Sequence, residues 1–249
     1  LGIGAAPTSA LSIEGSGFTD STIRLKRTAS GTNNDAGLQF TSAAGANSGY
    51  GMGGIWFKNS VDDNAYALIR ARTDDSTGTS GRLDFITSDA AVGNSTASRM
   101  TIDSSGRVTM PYQPYFWAKA GSSSAADHSS GTKVFASSTG TYGSIQETGN
   151  NFNTTTGHFT APVSGVYHFA CQIRIDSFGG SYSYLTLWDS GSAVFARDLT
   201  SQTGTYNTQT VSASRYLSAN DYVYALFVTA GDTSTTISSD SYFSGHLVG

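Results

Sequence analysis

Short stretches in which apolar and polar residues alternate run along the chain, separated by segments rich in Gly, Ser and Asp. In the first half they are Ala10–Ile13, Thr22–Lys26, Gly37–Phe40, Gly54–Lys58, Ala65–Arg70, Arg82–Ile86, Arg99–Ile102 and Arg107–Met110. Ile23-Arg24-Leu25-Lys26 and Leu83-Asp84-Phe85-Ile86 show the period of two expected of strands with one dry face. Such short strands bury little in a monomer, and burial shared between identical chains is one way to supply the missing core. Arg99–Asp103, Ser104-Ser105-Gly106 and Arg107–Met110 read as a hairpin in which Gly106 supplies a positive φ.

The texture changes at Pro111-Tyr112-Gln113-Pro114, where two prolines predict a stiff extended joint. The expected organisation is a β-rich shaft or repeat domain over residues 1–111 and a head over 112–249. In the head the predicted strands lengthen: Tyr115–Ala118, Lys133–Ser137, His158–Thr160, Gly165–Asp176, Ser183–Trp188, Ala193–Asp198, Thr208–Leu217, Asp221–Thr229 and Tyr242–Val248. No helical period separates them, which predicts an antiparallel sandwich and an all-β chain. Gly165 permits a tight turn into a strand on which Val166, His168 and Ala170 face opposite to Tyr167, Phe169 and Cys171. One set fills the sandwich and leaves the other to meet neighbouring subunits.

Composition narrows the function. Aromatics reach 12% and charged residues only 13%, the reverse of a disordered chain. Net charge is −4 and the longest basic stretch is Arg24–Arg27, which argues against nucleic-acid binding. No apolar run approaches the roughly 20 residues that cross a bilayer, so no membrane insertion is expected. The first residue is Leu1, so a fragment or a processed chain is expected. Cys171 stands alone and is read as a buried, inert thiol.

Catalytic chemistry finds no constellation. Asp62-Asp63, Asp74-Asp75, Asp84 and Asp103 read as turn or strand acids, not as a glycosidase pair. His128, His158, His168 and His246 accompany no nucleophile-elbow serine, and His158 and His168 are read as structural. No phosphate loop, dinucleotide fingerprint or zinc spacing occurs. The reading is no enzyme, no catalytic residue, no cofactor and no assigned metal.

Two resemblances add to this. Phe152, Phe159, Gly165, Tyr167 and Phe169 within FNTTTGHFTAPVSGVYHF, then SASRYLSANDYVYALFV and the terminal YFSGHLVG, resemble the globular head of the complement first component, of the tumour-necrosis-factor-like jelly-roll superfamily. The resemblance covers about residues 115–249. It departs at Glu147, where that family usually has Asn or Asp five residues before the first Phe. It implies a homotrimer packed through one sheet face, with Tyr167, Phe169 and Phe243 as sandwich core or trimer seam. It also raises calcium near the apex, for which Asp176, Asp232 and Asp240 could offer oxygens. The GIGAAP opening, RMTIDSSGRV and ARTDDSTGTSGRLDFITSD resemble repeats of bacteriophage tail-fibre and adhesin shafts.

Together these lead to the expectation of the distal part of a homotrimeric phage tail fibre, located on the virion and continuous with upstream fibre and tail proteins. Its receptor would be a glycan or protein on a bacterial surface. If the joint and the C-terminus share one end, four loops reach the far tip: Ala120–Gly131, Asp176–Ser183, Leu199–Asn207 and Ala230–Ser241. Their receptor candidates are His128, Asp176, Phe178, Tyr182, Gln202, Tyr206, Asn207 and Asp232, with Tyr182 and Tyr206 foremost because sugars are commonly held by an aromatic face. A bacterial adhesin of the same architecture and a polysaccharide depolymerase are the alternatives.

Overall fold

The structure, a computed structural model, describes residues 51–58, 65–75, 77, 79–88, 97–121, 125–139, 142–201 and 205–249. The predicted strands Ala10–Ile13, Thr22–Lys26 and Gly37–Phe40 and the candidate Gln202 lie outside these residues. The chain forms two compact units, Leu1–Val108 and Thr109–Gly249.

The first unit carries an antiparallel meander of β1 (Gly51–Lys58), β2 (Ala65–Thr73), β3 (Gly81–Thr87), β4 (Ser98–Ile102) and β5 (Val108–Thr109), in that order across the sheet. Leu68 opposes Ile86 in register and both are buried, which is the dry face that the alternation predicts. The β4–β5 turn is the expected one. Gly106 adopts φ 80°, and the Asp103 carboxylate accepts from the backbone N–H groups of Ser105 and Arg107.

The second unit is a sandwich of two antiparallel sheets. It uses β6 (Tyr115–Ala120), β7 (Tyr142–Glu147), β8 (Phe152–Asn153), β9 (His158–Thr160), β10 (Gly165–Ser177), β11 (Tyr182–Asp189), β12 (Val194–Ser201), β13 (Asn207–Leu217), β14 (Tyr222–Ala230), β15 (Thr236–Ile237) and β16 (Tyr242–Leu247). One sheet has the order β13-β10-β16-β6-β7, with β15 also on β10; the other runs β12-β11-β14-β9-β8. The chain crosses between the sheets at β7–β8, β9–β10, β10–β11, β12–β13, β13–β14 and β14–β15, which is a jelly-roll topology.

The inner faces interlock through aromatic rings. Phe116 stacks on Phe159 at 4.7 Å and on Phe152 at 5.0 Å, and meets the edge of Phe243 at 4.8 Å. Tyr167, Phe169 and Phe243 are fully buried among them, so the structure places all three in the sandwich core, and none on the outer face where a seam would form. The Tyr167 hydroxyl donates to the Val163 carbonyl at 2.8 Å, which satisfies the one polar group the ring brings inside. Cys171 is buried, and burial pushes its thiol pKa up, in keeping with an inert thiol.

Three differences from the expectation have physical causes. Lys133–Ser137 is not a strand: Val134 and Phe135 form a turn, and Ser137–Thr139 a single 3-10 turn. Its apolar run Val134-Phe135-Ala136 is buried without alternation, so its hydrophobicity records burial and not a pleat. Gly165 does not need a left-handed φ; a Cβ there would lie 3.1 Å from the Gly249 carbonyl oxygen and 2.7 Å from Leu247 Cδ1, so close approach of the C-terminal backbone is what favours glycine. Glu147, the departure from the family pattern, accepts a hydrogen bond from the Phe152 backbone N–H at 2.8 Å and so fixes the entry to β8.

Candidate functional site

The C-terminus and the joint residues gather at one end of the second unit. Leu247 N–H donates to Pro114 C=O at 3.0 Å, and Val166 N–H to Gly249 C=O at 2.7 Å. Along β10 the chain then runs to Ser177 at the opposite end. There Ser201, the loops after Ser177 and Ala230 and the segment around Ala126–Thr132 come together. Ser181 N–H donates to Ala230 C=O, and Ala126 pairs with Thr235.

Asp232 braces this end. Its carboxylate accepts from Gly179 N–H at 2.8 Å, Ser234 N–H at 2.9 Å and Thr235 Oγ1 at 2.8 Å. Burial raises its pKa, but these donors outweigh it and hold the carboxyl below its ordinary value. Asp232 is therefore occupied with its own loops. His128 is likewise turned inward, at 1% exposure, with Nδ1 2.7 Å from Thr132 Oγ1 and its ring edge-on to Phe227. Burial lowers its pKa and keeps the imidazole neutral. Phe178 is buried in the core. His128, Phe178 and Asp232 thus shape the tip from beneath and present almost no surface to a receptor, a correction of their expected role as direct contacts.

The surface is offered by others. Tyr206 is 72% exposed and Tyr182 42% exposed. Tyr206 lies 5.8 Å beneath the Arg174 guanidinium, on the outer side of β10. Arg174 also pairs with Asp176 at 2.8 Å and with Asp240. It is the organising residue of this corner, and no sequence signal beyond its place on β10 singles it out. Asn207 turns its side-chain oxygen to the Thr208 N–H. Tyr182 stands on the outer face of the other sheet, stacked on Tyr184, whose ring in turn carries the Arg197 guanidinium at 5.2 Å. Leu199, directly opposite Tyr184, is exposed. Tyr182 and Tyr206 are both at the loop end, but on opposite faces of the sandwich.

Asp176, Asp232 and Asp240 do not converge as a calcium site would require. Among the described residues no group of three or more His, Cys, Asp or Glu is placed to hold a metal. His158 stacks against two aromatic rings, at 4.4 Å from Tyr222 and 5.0 Å from Tyr224, with Lys133 Nζ 2.8 Å from Nε2.

The outer face of the β13-β10-β16-β6 layer is graded along its length. At the end near Gly249 it presents Tyr216 and Val166 in one row, with Val248 hydrogen-bonded alongside. The next row holds Ser214, His168, His246 and Tyr115, and the next Ser212, Ala170, Ser244 and Trp117. Fixed charge enters only toward the tip, with Lys119, Arg174 and Asp240. A face with little fixed charge over most of its length is suited to cover by another protein surface.

The model of the C1q domain family matches residues 132–248, most of the second unit. That unit, a jelly-roll sandwich by its strand order, is thus similar to C1q domains over those residues. Solved structures similar to it include the globular domain of zebrafish complement 1qA, 20% identical over 55% of this chain and 98% of that one, TM-score 0.38. Eiger TNF from S. frugiperda is 16% identical over 55% and 94%, TM-score 0.39. Murine APRIL is 10% identical over 55% and 99%, TM-score 0.43. No curated protein sequence matches the chain.

Proposed function

We propose that this chain is the distal part of a homotrimeric phage tail fibre, carried on the virion, whose jelly-roll head attaches to a glycan on the bacterial surface. The charge-poor part of the outer face of the β13-β10-β16-β6 layer, from the Gly249 end to the row of Trp117, is the seam between three copies and leaves Arg174 and Tyr206 outside it at the tip. Shaft-like repeats in the first half and a binding-module fold in the second support the fibre reading. The observation that carries attachment is the pair of exposed tyrosines at a loop end braced by Asp232 and Arg174. An aromatic ring held rigidly at a tip offers a flat apolar surface to a sugar at small entropic cost.

Because Tyr182 and Tyr206 lie on opposite faces within one protomer, they act as separate contacts and not as two walls of one pocket. Three copies repeat both, so weak individual contacts gain through avidity. Tyr182→Ala and Tyr206→Ala, made singly and together, test this by adsorption of the purified trimer to host cells. Each single change should weaken adsorption and the pair should abolish it, with melting temperature unchanged. Undiminished adsorption by the folded double variant would remove the tip from the binding site.

A further inference from the structure

In the first unit, three guanidinium groups surround one carboxylate, and donors outnumber acceptors. The register of β2 against β3 sets Arg70 opposite Asp84 and Arg72 opposite Arg82, on the face that also carries Leu68 and Ile86. Asp84 is fully buried. It accepts from Arg72 Nε at 2.6 Å and from Thr101 Oγ1 at 3.0 Å. Burial raises its pKa, but Arg72 and Thr101 more than offset this and keep it ionised.

The other two arginines are close but not hydrogen-bonded to it. Arg82 Nε stands 3.5 Å from Oδ1, and Arg70 Nη2 3.9 Å from Oδ2. Arg70 Nε and Nη2 and Arg82 Nε are buried atoms without a hydrogen-bond partner. Asp74, 3.6 Å from Arg82 Nη1, is shared with the backbone and hydroxyl of Ser104. Among the described residues, three cations thus face two carboxylates. Across β1, the residue opposite Arg70 is Gly54, which brings no side chain over the guanidinium. Burial, followed by the charge of Arg72, pulls the Arg70 pKa below its ordinary value, the mark of a cation short of counter-charge.

Buried donors and surplus charge are both costly when unmatched, and a guanidinium fork fits an oxyanion with two oxygens. We propose that the Arg70–Arg82 face of the first unit is a binding site for a small oxyanion, a carboxylate or phosphate group. Bound there, it accepts from the unpaired N–H groups of Arg70 and Arg82 and offsets the remaining positive charge. The side chains of Arg70 and Arg82 keep 18% and 28% of their surface exposed while the unpaired N–H atoms themselves are covered, so an anion enters as these border side chains turn outward. This site is independent of attachment by the head and can succeed or fail without it.

The test is calorimetric titration of the full chain with inorganic phosphate, glucuronate and glucose at constant ionic strength. Saturable heat is expected from one or both anions and none from glucose. Phosphate alone would mark a phosphorylated ligand, and glucuronate alone a uronic acid. Arg70→Met and Arg82→Gln should each weaken binding by about tenfold or more, the scale of one lost charge-assisted hydrogen bond. Arg70→Met should melt no lower than the wild type without anion, because it removes the surplus cation and leaves Arg72 and Thr101 on Asp84. Absence of saturable heat from both anions, or binding that survives both substitutions, would overturn the proposal. So would a marked fall in melting temperature of Arg70→Met, which would assign that guanidinium to Asp84 alone.

Discussion

Gly245, in the terminal Phe-Ser-Gly run, shows how one residue fixes a core. A Cβ at this position would lie 2.6 Å from Phe169 Cδ1 and 2.7 Å from Phe116 Cε1, two rings that are themselves enclosed by Phe159 and Phe243. Neither ring has space to retreat. Gly245→Ala should therefore destabilise the second unit by about 1–3 kcal/mol, the usual cost of overpacking a filled core. Urea unfolding of the full chain, followed by tyrosine and tryptophan fluorescence, measures this. A neutral outcome would mean that the ring cluster is looser than its spacings imply. The same scale shows the limits of reading single side chains from sequence. For Tyr167, Phe169 and Phe243 alternation marks an apolar face but leaves core or seam open, and their burial is read only from the folded sandwich. His128 and Asp232 sit in small-residue loops that resemble any exposed turn. Only the folded positions of Phe227, Gly179 and Thr235 show that both are drawn inward.

Element by element, strong alternation was read well and short or unpatterned segments were not. Gly165–Ser177 and Asn207–Leu217 are long ladders whose period of two survives along their whole length. β8 and β15 have two residues each, too few to show a period, and β7 has polar or small residues on both sides. On the outer face of the second sheet, His158, Tyr222, Tyr224 and Trp188 form a cross-strand stack that no alternation pattern specifies. Burial first, and the Lys133 ammonium second, push the His158 pKa down to about 4. The unfolded chain binds a proton here near pH 6.5, whereas the folded chain resists it. The contribution is fully present above about pH 6.5 and is lost as pH falls from there toward about 4. Melting temperature should accordingly drop through this window in the wild type. It should drop less in His158→Gln. Equal acid sensitivity of the two proteins would place the loss elsewhere.

For the whole molecule, the all-β class and the change of texture at the two prolines were visible from composition and pattern, because Gly, Ser and Thr spacing repeats over many elements. The relation of the strands to one another was less visible, since the jelly-roll order depends on which sheet each strand joins. The graded outer face of the β13-β10-β16-β6 layer appears only when those four strands are set in register, and it is the proposed seam of the trimer. Molar mass in solution, by light scattering coupled to size exclusion, tests that claim most directly. A trimer gives about three times the 26.0 kDa of one chain, persisting on dilution and in mild detergent. A monodisperse species at one chain mass would contradict the seam, and with it the multivalent attachment that the tip residues are proposed to serve.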